Sequence, residues 1–300
     1  MTRSTSNDNG RYYEYLLTEL IISKYGVVPS IQTKQDQARD RNKNIKEKTK
    51  KDMVLSLSNI ENWLNKVITL DKKCIIERLP DKNLIEPTHD DIKIIKNNEE
   101  LGFSLKHNHE SIFHGRAFTC HKWCGLPDKD PLSLKYLNSI GLLNNALKEQ
   151  IFPLTKFSVD KNILEEYKEP WSSYARDMFE EMSHLINNVN GARELYKRII
   201  GHGSSSYRIL KKPNSKKIIV QNLKNLTEPS SVCSSVQQRN KSDKWWVWQL
   251  NLDFSNGLKI EARSKWDTSV MTKKNSNPPL KPDWVVADWG RSGMTEEEYY

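Results

Sequence analysis

The chain opens on a helical rhythm. Tyr12, Tyr13, Leu16, Leu17, Leu20 and Ile21 recur at three- and four-residue intervals, which predicts a helix over residues 10–23 closed by Gly26 and Pro29. Residues 34–51 lose that rhythm. They hold eight basic and three acidic residues and almost nothing apolar, the pattern of a solvated helix face or of an arm laid along a phosphate backbone. A second amphipathic helix is expected over about 53–70, burying Met53, Leu55, Ile60, Trp63, Leu64 and Val67. The period then shortens to two. Strands are expected at 73–79, 91–96 and 101–106, the last two joined through Asn97-Asn98 into an antiparallel hairpin. Helical spacing returns at 131–150, 171–189 and 192–200. The final third reads as strands at 207–210, 217–221, 245–254 and 258–263, the last pair flanking Asn256-Gly257, with polar loops at 228–244 and 268–281.

This order predicts an α/β (α+β) protein: a central mixed sheet flanked by helices, with a strand-rich carboxy-terminal region. Residues 1–200 are expected to form the helical and core part and 201–300 the strand-rich part, packed together as one unit. No apolar run reaches eighteen residues, so no membrane span is expected. The polar start lacks the marks of a secretory or transit segment, which predicts a cytoplasmic protein. Cys74, Cys120, Cys124 and Cys233 are too few and too scattered for a disulfide framework and are expected as reduced, buried thiols. Lysine and arginine outnumber aspartate and glutamate by 47 to 38, which points to an anionic partner such as nucleic acid.

The residues that could carry chemistry lie on the expected hairpin. Asp91 opens one strand and Lys106 closes the next, while Glu100, Gly102, Ser104 and Lys106 alternate onto one face. Two carboxylates and an ammonium at a strand end suit metal-assisted phosphodiester hydrolysis, the acids holding a hard cation and the lysine serving water and phosphate. The same residue types also make ordinary cross-strand salt bridges.

The sequence around them narrows the choice. Ser104-Leu105-Lys106 behind an Asp-headed strand resembles the PD-(D/E)xK nuclease pattern, and the octapeptide from Gly102 to His109 resembles a segment of the HaeIII-type restriction endonucleases. Gly10-Arg11-Tyr12-Tyr13-Glu14-Tyr15 is similar to that family's first helix; His114 with Arg116, Ile199-Ile200-Gly201, residues 207–210 and the stretch from Trp246 to Arg263 continue the likeness. The resemblance implies a PD-(D/E)xK core and a type II restriction endonuclease that uses Mg²⁺ to cut double-stranded DNA at a short palindrome, GGCC in the family's namesake. It implies Asp91 as a metal ligand, Lys106 as the catalytic lysine and Glu14 as a third acidic group. Ser104 departs from the pattern, since it stands where the second acid is usual; Glu100 is the first expected replacement and Glu110 the second. A palindromic target further implies a homodimer, and a restriction enzyme a cognate DNA methyltransferase acting on the same sites without a stable complex.

Other readings use the same residues. His107-Asn108-His109 invites a zinc or HNH-type nuclease as an alternative, for which the literal tripeptide is poor evidence, since adjacent strand residues face opposite ways. His107 and His109 are expected to contact phosphate. His109, His114, Cys120, His121 and Cys124 could instead bind structural zinc. Arg116, Arg239, Arg263, Lys265, Lys273, Lys274 and Arg291 are the expected DNA-contacting cations, with Arg239, Arg263 and Arg291 able to read guanine. The rival from another class is a sequence-specific DNA-binding protein without catalysis, in which Asp91 and Lys106 merely pair.

Overall fold

A computed structural model describes residues 6–79, 90–107, 115–151, 168–201, 207–238, 248–264 and 282–300. The protein is mixed α/β, with a seven-stranded mixed sheet and helices plus a separate four-stranded antiparallel sheet. Two units share the chain: residues 1–110, 201–226 and 293–300 form one, and residues 111–200 and 227–292 the other.

In the first unit, helix α1 (Ser6–Tyr25) leads to the short strand β1 (Val28–Pro29) and to helices α2 (Ile31–Asp40), α3 (Glu47–Leu55) and α4 (Leu57–Val67). Strands β2 (Ile75–Arg78), β3 (Ile92–Lys96) and β4 (Glu99–His107) form an antiparallel meander. Strand β5 (Tyr207–Lys211) lies parallel to β4, then come β6 (Ile218–Asn222) and β11 (Thr295–Tyr299), both antiparallel to their neighbours. The order across the sheet is β1-β2-β3-β4-β5-β6-β11.

One face of this sheet is the core. Tyr13, Leu17 and Ile21 of α1 and Ile60, Trp63 and Leu64 of α4 pack on Ile92, Ile94, Leu101, Phe103, Leu105 and Ile209. The Trp63 ring meets Phe103 and Tyr207 edge-on, at centroid distances of 5.7 and 5.1 Å. Because strand side chains alternate, Leu101, Phe103 and Leu105 fix the even-numbered residues of β4 on the opposite face.

Two helical expectations change. The single helix expected over 53–70 is broken at Ser56, whose hydroxyl donates to the Met53 carbonyl (2.9 Å) and pairs with the Tyr13 hydroxyl (2.6 Å). A serine side chain competing for backbone partners interrupts the ladder there. The polar stretch 34–51 contributes most of α2 and the start of α3, and α2 buries Thr33, Asp36, Gln37 and Asp40. Hydrophobic spacing cannot reveal a helix whose inner face is polar.

The second unit contains α5 (Cys120–Trp123), α6 (Pro131–Ile151), α7 (Lys168–Asn188) and α8 (Ala192–Ile200), with β7 (Val232–Gln238), β8 (Trp248–Phe254), β9 (Lys259–Arg263) and β10 (Asp283–Asp288) in the order β10-β9-β8-β7. Helix α7 is bonded to β7 through Ser183, Asn187 and Ser234. Strand β7 lies within the stretch expected as a polar loop. Its Ser and Gln residues gain strand geometry from pairing along the whole of β8, which local composition does not register.

Candidate active site

The β3–β4 hairpin turns at Asn97 and Asn98, both left-handed (φ 51° and 68°), the geometry that a two-residue hairpin loop demands. That turn fixes a register in which Ile92 faces Phe103, so Asp91 falls beside Ser104. The Asp91 backbone is held on both sides: its N–H donates to the Phe103 carbonyl and its own carbonyl accepts from Leu79 N–H, each at 3.0 Å. Its carboxylate then has little freedom. Oδ2 accepts from Ser104 Oγ at 2.9 Å and from the Leu105 N–H at 2.7 Å, and Lys106 Nζ stands 3.9 Å away. Both charged side chains keep a partial opening to water.

Glu100 is elsewhere. It shares the even-numbered face of β4, as expected, but lies at the turn end, where it pairs with Lys93 at 2.7 Å. Four residues separate it from Ser104 and six from Lys106, about 13 and 20 Å along a strand. Sharing a face is not sharing an end, and the hairpin that joins Asp91 to Lys106 carries Glu100 away from both. Glu110 lies outside the described residues.

The acid that sequence reasoning missed is Asp90. It is 6% exposed, and its carboxylate lies directly over Gly102. A Cβ at that glycine would fall 2.3 Å from Asp90 Oδ2 and 2.6 Å from Cγ. The bare backbone of Gly102 is therefore a cradle that a side chain would fill. Gly102 and Ser104 are successive stations on one face, about 7 Å apart. Asp90 sits against the first and Asp91 against the second. The signal was the Asp90-Asp91 pair taken together with a glycine two residues before Ser104.

Behind this strand end lies a buried ionic network. Arg78, 1% exposed, donates to Glu14 Oε2 (3.1 Å), Asp40 Oδ2 (2.8 Å), Gln37 Oε1 (2.8 Å) and the Arg11 carbonyl (2.9 Å). Arg11 donates to the same Glu14 oxygen at 2.8 Å and to the Leu79 carbonyl at 3.0 Å. Burial, and next the Asp91 charge, push the Glu14 carboxyl up to about 7 against the pull of the two guanidiniums. Glu14 is thus within electrostatic reach of Asp91, but its bonds are to arginine.

His107 turns inward. Its side chain is 8% exposed, Nε2 is 3.2 Å from Asp52 Oδ2, and its ring lies 5.7 Å from that of Tyr13. Lys211, with its side chain fully buried, donates to Asp52 Oδ1 at 2.7 Å. Burial works against the Asp52 charge, yet Lys211 and His107 hold its carboxyl below the usual range. The nitrogen Nε2 of His107, expected to contact phosphate, is here engaged by Asp52. Of the expected DNA-contacting cations, Arg116, partly buried, caps the turn entering α5, Arg263 on β9 is bonded to Glu261 at 3.0 Å, and Arg291 is exposed after β10. His109, Arg239, Lys265, Lys273 and Lys274 lie outside the described residues.

The cysteines are free thiols; Cys74, Cys120 and Cys124 are buried as expected, whereas Cys233, on β7, is exposed. Among the described residues no group of three or more His, Cys, Asp or Glu side chains is placed to hold a metal ion. His109 and His114 of the expected zinc set lie outside them. Among the described residues, Asp90 and Asp91 are acids on this strand end that are not bonded to arginine, and carboxylate oxygens suit a hard cation such as Mg²⁺, which binds through one or two carboxylates and keeps several waters. No described helix is long and apolar enough to cross a membrane. Comparison with protein-family models, curated proteins and solved structures gives no match for this chain.

Proposed function

We propose that this protein is a type II restriction endonuclease with a PD-(D/E)xK-like site, cutting double-stranded DNA at a short palindrome by metal-assisted phosphodiester hydrolysis. The reading rests on one observation: the Asp91 carboxylate and the Lys106 ammonium, brought from adjacent strands to one sheet end, stand 3.9 Å apart and reach water. The resemblance of residues 102–109 to the HaeIII-type enzymes supports it, as does the net charge of +9.

In this reading Asp90 and Asp91 hold the cation, and Asp90 replaces the acid that Ser104 cannot supply. Mg²⁺, when bound, supplies Lewis-acid polarisation of the phosphate and an acidified water. Lys106 lies beside the attack position, where its ammonium orients the water and offsets charge gathering on the phosphorane. Ser104 and the Leu105 amide fix one Asp91 oxygen, so the carboxylate is oriented before anything binds. Glu14, Arg11 and Arg78 brace the strand end from behind and do not touch the reacting atoms.

The bonds from Ser104 and Leu105 to Asp91 also favour a second reading, in which Asp91 only ties the strand end together and the protein binds DNA without cutting it. Plasmid cleavage with and without Mg²⁺ separates the two. Lys106→Ala should keep DNA affinity and lose cleavage by at least about a hundredfold. Cleavage at the wild-type rate by that variant rejects the nuclease reading.

A further inference from the structure

The charge on this chain is unevenly spent. Residues 46–52 carry Lys46, Lys48, Lys50 and Lys51 against Glu47 and Asp52, and residues 211–217 carry Lys211, Lys212, Lys216 and Lys217 with no acid. Together these two short segments account for six of the nine net positive charges. They are far apart in sequence but meet in the fold. A cleft of about 540 Å³ is lined by Glu47, Lys48, Lys51, Asp52 and Leu55 of α3 and by Asn214 of the β5–β6 turn.

Of the two acids in that cleft, Glu47 stands against Lys48 and Lys51. Asp52 is already neutralised by the buried Lys211 and is bonded to His107. Lys46, Lys48, Lys51 and Lys216 are exposed, while the Lys216 carbonyl is fixed by Asn59 at 2.9 Å. His107, bonded to Asp52 of the cleft, directly follows Lys106, so the cleft borders the same end of β4 as the candidate active site, on the helix-covered side of the sheet.

We infer that this cleft grips the sugar-phosphate backbone of duplex DNA and so seats the duplex on the sheet end that carries Lys106. The inference rests on the nuclease reading and names the surface that reading lacks. The lining chooses the backbone over bases. None of its six residues is aromatic, so it offers no stacking platform for an unpaired strand, while ammonium groups on flexible arms are what phosphate contacts use. Such contacts are blind to sequence and release counterions, which makes them visible in the salt dependence of binding.

The test uses the full chain carrying Lys106→Ala, to prevent cutting, and a fluorescent duplex of about 20 base pairs titrated by anisotropy between about 50 and 300 mM KCl. Adding Lys48→Ala, Lys51→Ala and Lys216→Ala should flatten the slope of log affinity against log salt by about 0.9 for each phosphate no longer neutralised, hence by up to about 3. Affinity should fall equally for duplexes of different sequence. A control carrying Lys72→Ala, Lys73→Ala and Lys129→Ala, three exposed lysines outside both lysine-rich segments, should keep the wild-type slope. An unchanged slope in the triple variant, with tight salt-dependent binding by its parent, overturns this inference and leaves the nuclease reading standing. Tighter binding to the single strand than to the duplex also overturns it. If the parent binds no duplex at any salt, the nuclease reading falls and takes this inference with it.

Discussion

Gly102 matters most at the scale of single residues. It needs no unusual backbone angle; what it provides is empty space, and the Asp90 carboxylate occupies that space. Gly102→Ala would put a methyl group 2.3 Å from Asp90 Oδ2, far inside contact distance, and a short acidic side chain must then swing away. We expect Gly102→Ala and the isosteric Asp90→Asn to weaken Mn²⁺ binding, measured by titration calorimetry, by about tenfold or more, on the scale of losing one charged ligand. Glu100→Gln, altered near the hairpin turn, should bind Mn²⁺ as the wild type does. Normal Mn²⁺ affinity in Asp90→Asn would remove Asp90 from the site. Asp91 and Lys106 were legible in the sequence because a strand period and one turn decide their meeting. Glu100 was misplaced because alternation reports the face of a strand and says nothing of distance along it. Asp90 was hidden because its orientation depends on a bend before β3, where no period applies.

Between elements, the ionic network joining α1, α2 and the end of β2 has a readable pH signature. A carboxyl whose folded pKa lies above its unfolded value binds protons more readily when folded. For Glu14, raised from 4.5 to about 7, its contribution to stability is fullest below about pH 4.5, falls as pH rises toward 7, and is level beyond. The loss across that window is on the order of 3 kcal/mol. Urea unfolding of wild type and Glu14→Gln at pH 5 and pH 7.5 should show the variant losing less stability between the two, whatever its absolute value. A matching pH trend in both would mean that Glu14 stays ionised throughout, held so by Arg11 and Arg78. The burial of α2 in this network was not legible in a stretch open to reading as a solvated helix face, since Thr33, Gln37 and Asp40 turn polar atoms to Arg78, Asp36 pairs with Arg39, and no apolar stripe is left. The helices α1, α6, α7 and α8, with apolar inner faces, were all anticipated.

At the scale of the molecule, the sheet that carries the candidate site depends on the last residues described. Strand β11 covers the β6 edge, its Glu296 bonded to Gln221 and its Glu298 to Lys217, at 3.0 and 2.7 Å. Tyr299 lies under Lys66 with 4.5 Å between ammonium and ring. The row Glu296, Glu297 and Glu298 gives the outer edge a charged rim that resists pairing with another chain. Deleting residues 293–300 would bare the apolar run Ile218, Ile219 and Val220 on an open edge. Size-exclusion chromatography should then show self-association, and urea midpoints should drop; a monomer of unchanged midpoint would contradict this role. The strand was invisible beforehand, because Thr-Glu-Glu-Glu-Tyr has neither alternation nor apolar content and becomes a strand only by pairing.

The parallel partnership of β4 with β5 sets the timetable by which this protein comes into being. Phe103 pairs with Tyr207, and nearly all of the intervening chain belongs to the other unit. On a translating ribosome, β4 therefore emerges with its inner edge bare and stays so until roughly a hundred further residues have been made, some 5–20 seconds at ordinary elongation rates. Late closure of so distant a pair is slow by nature, and the half-built sheet meanwhile offers a sticky edge for chaperones to shield.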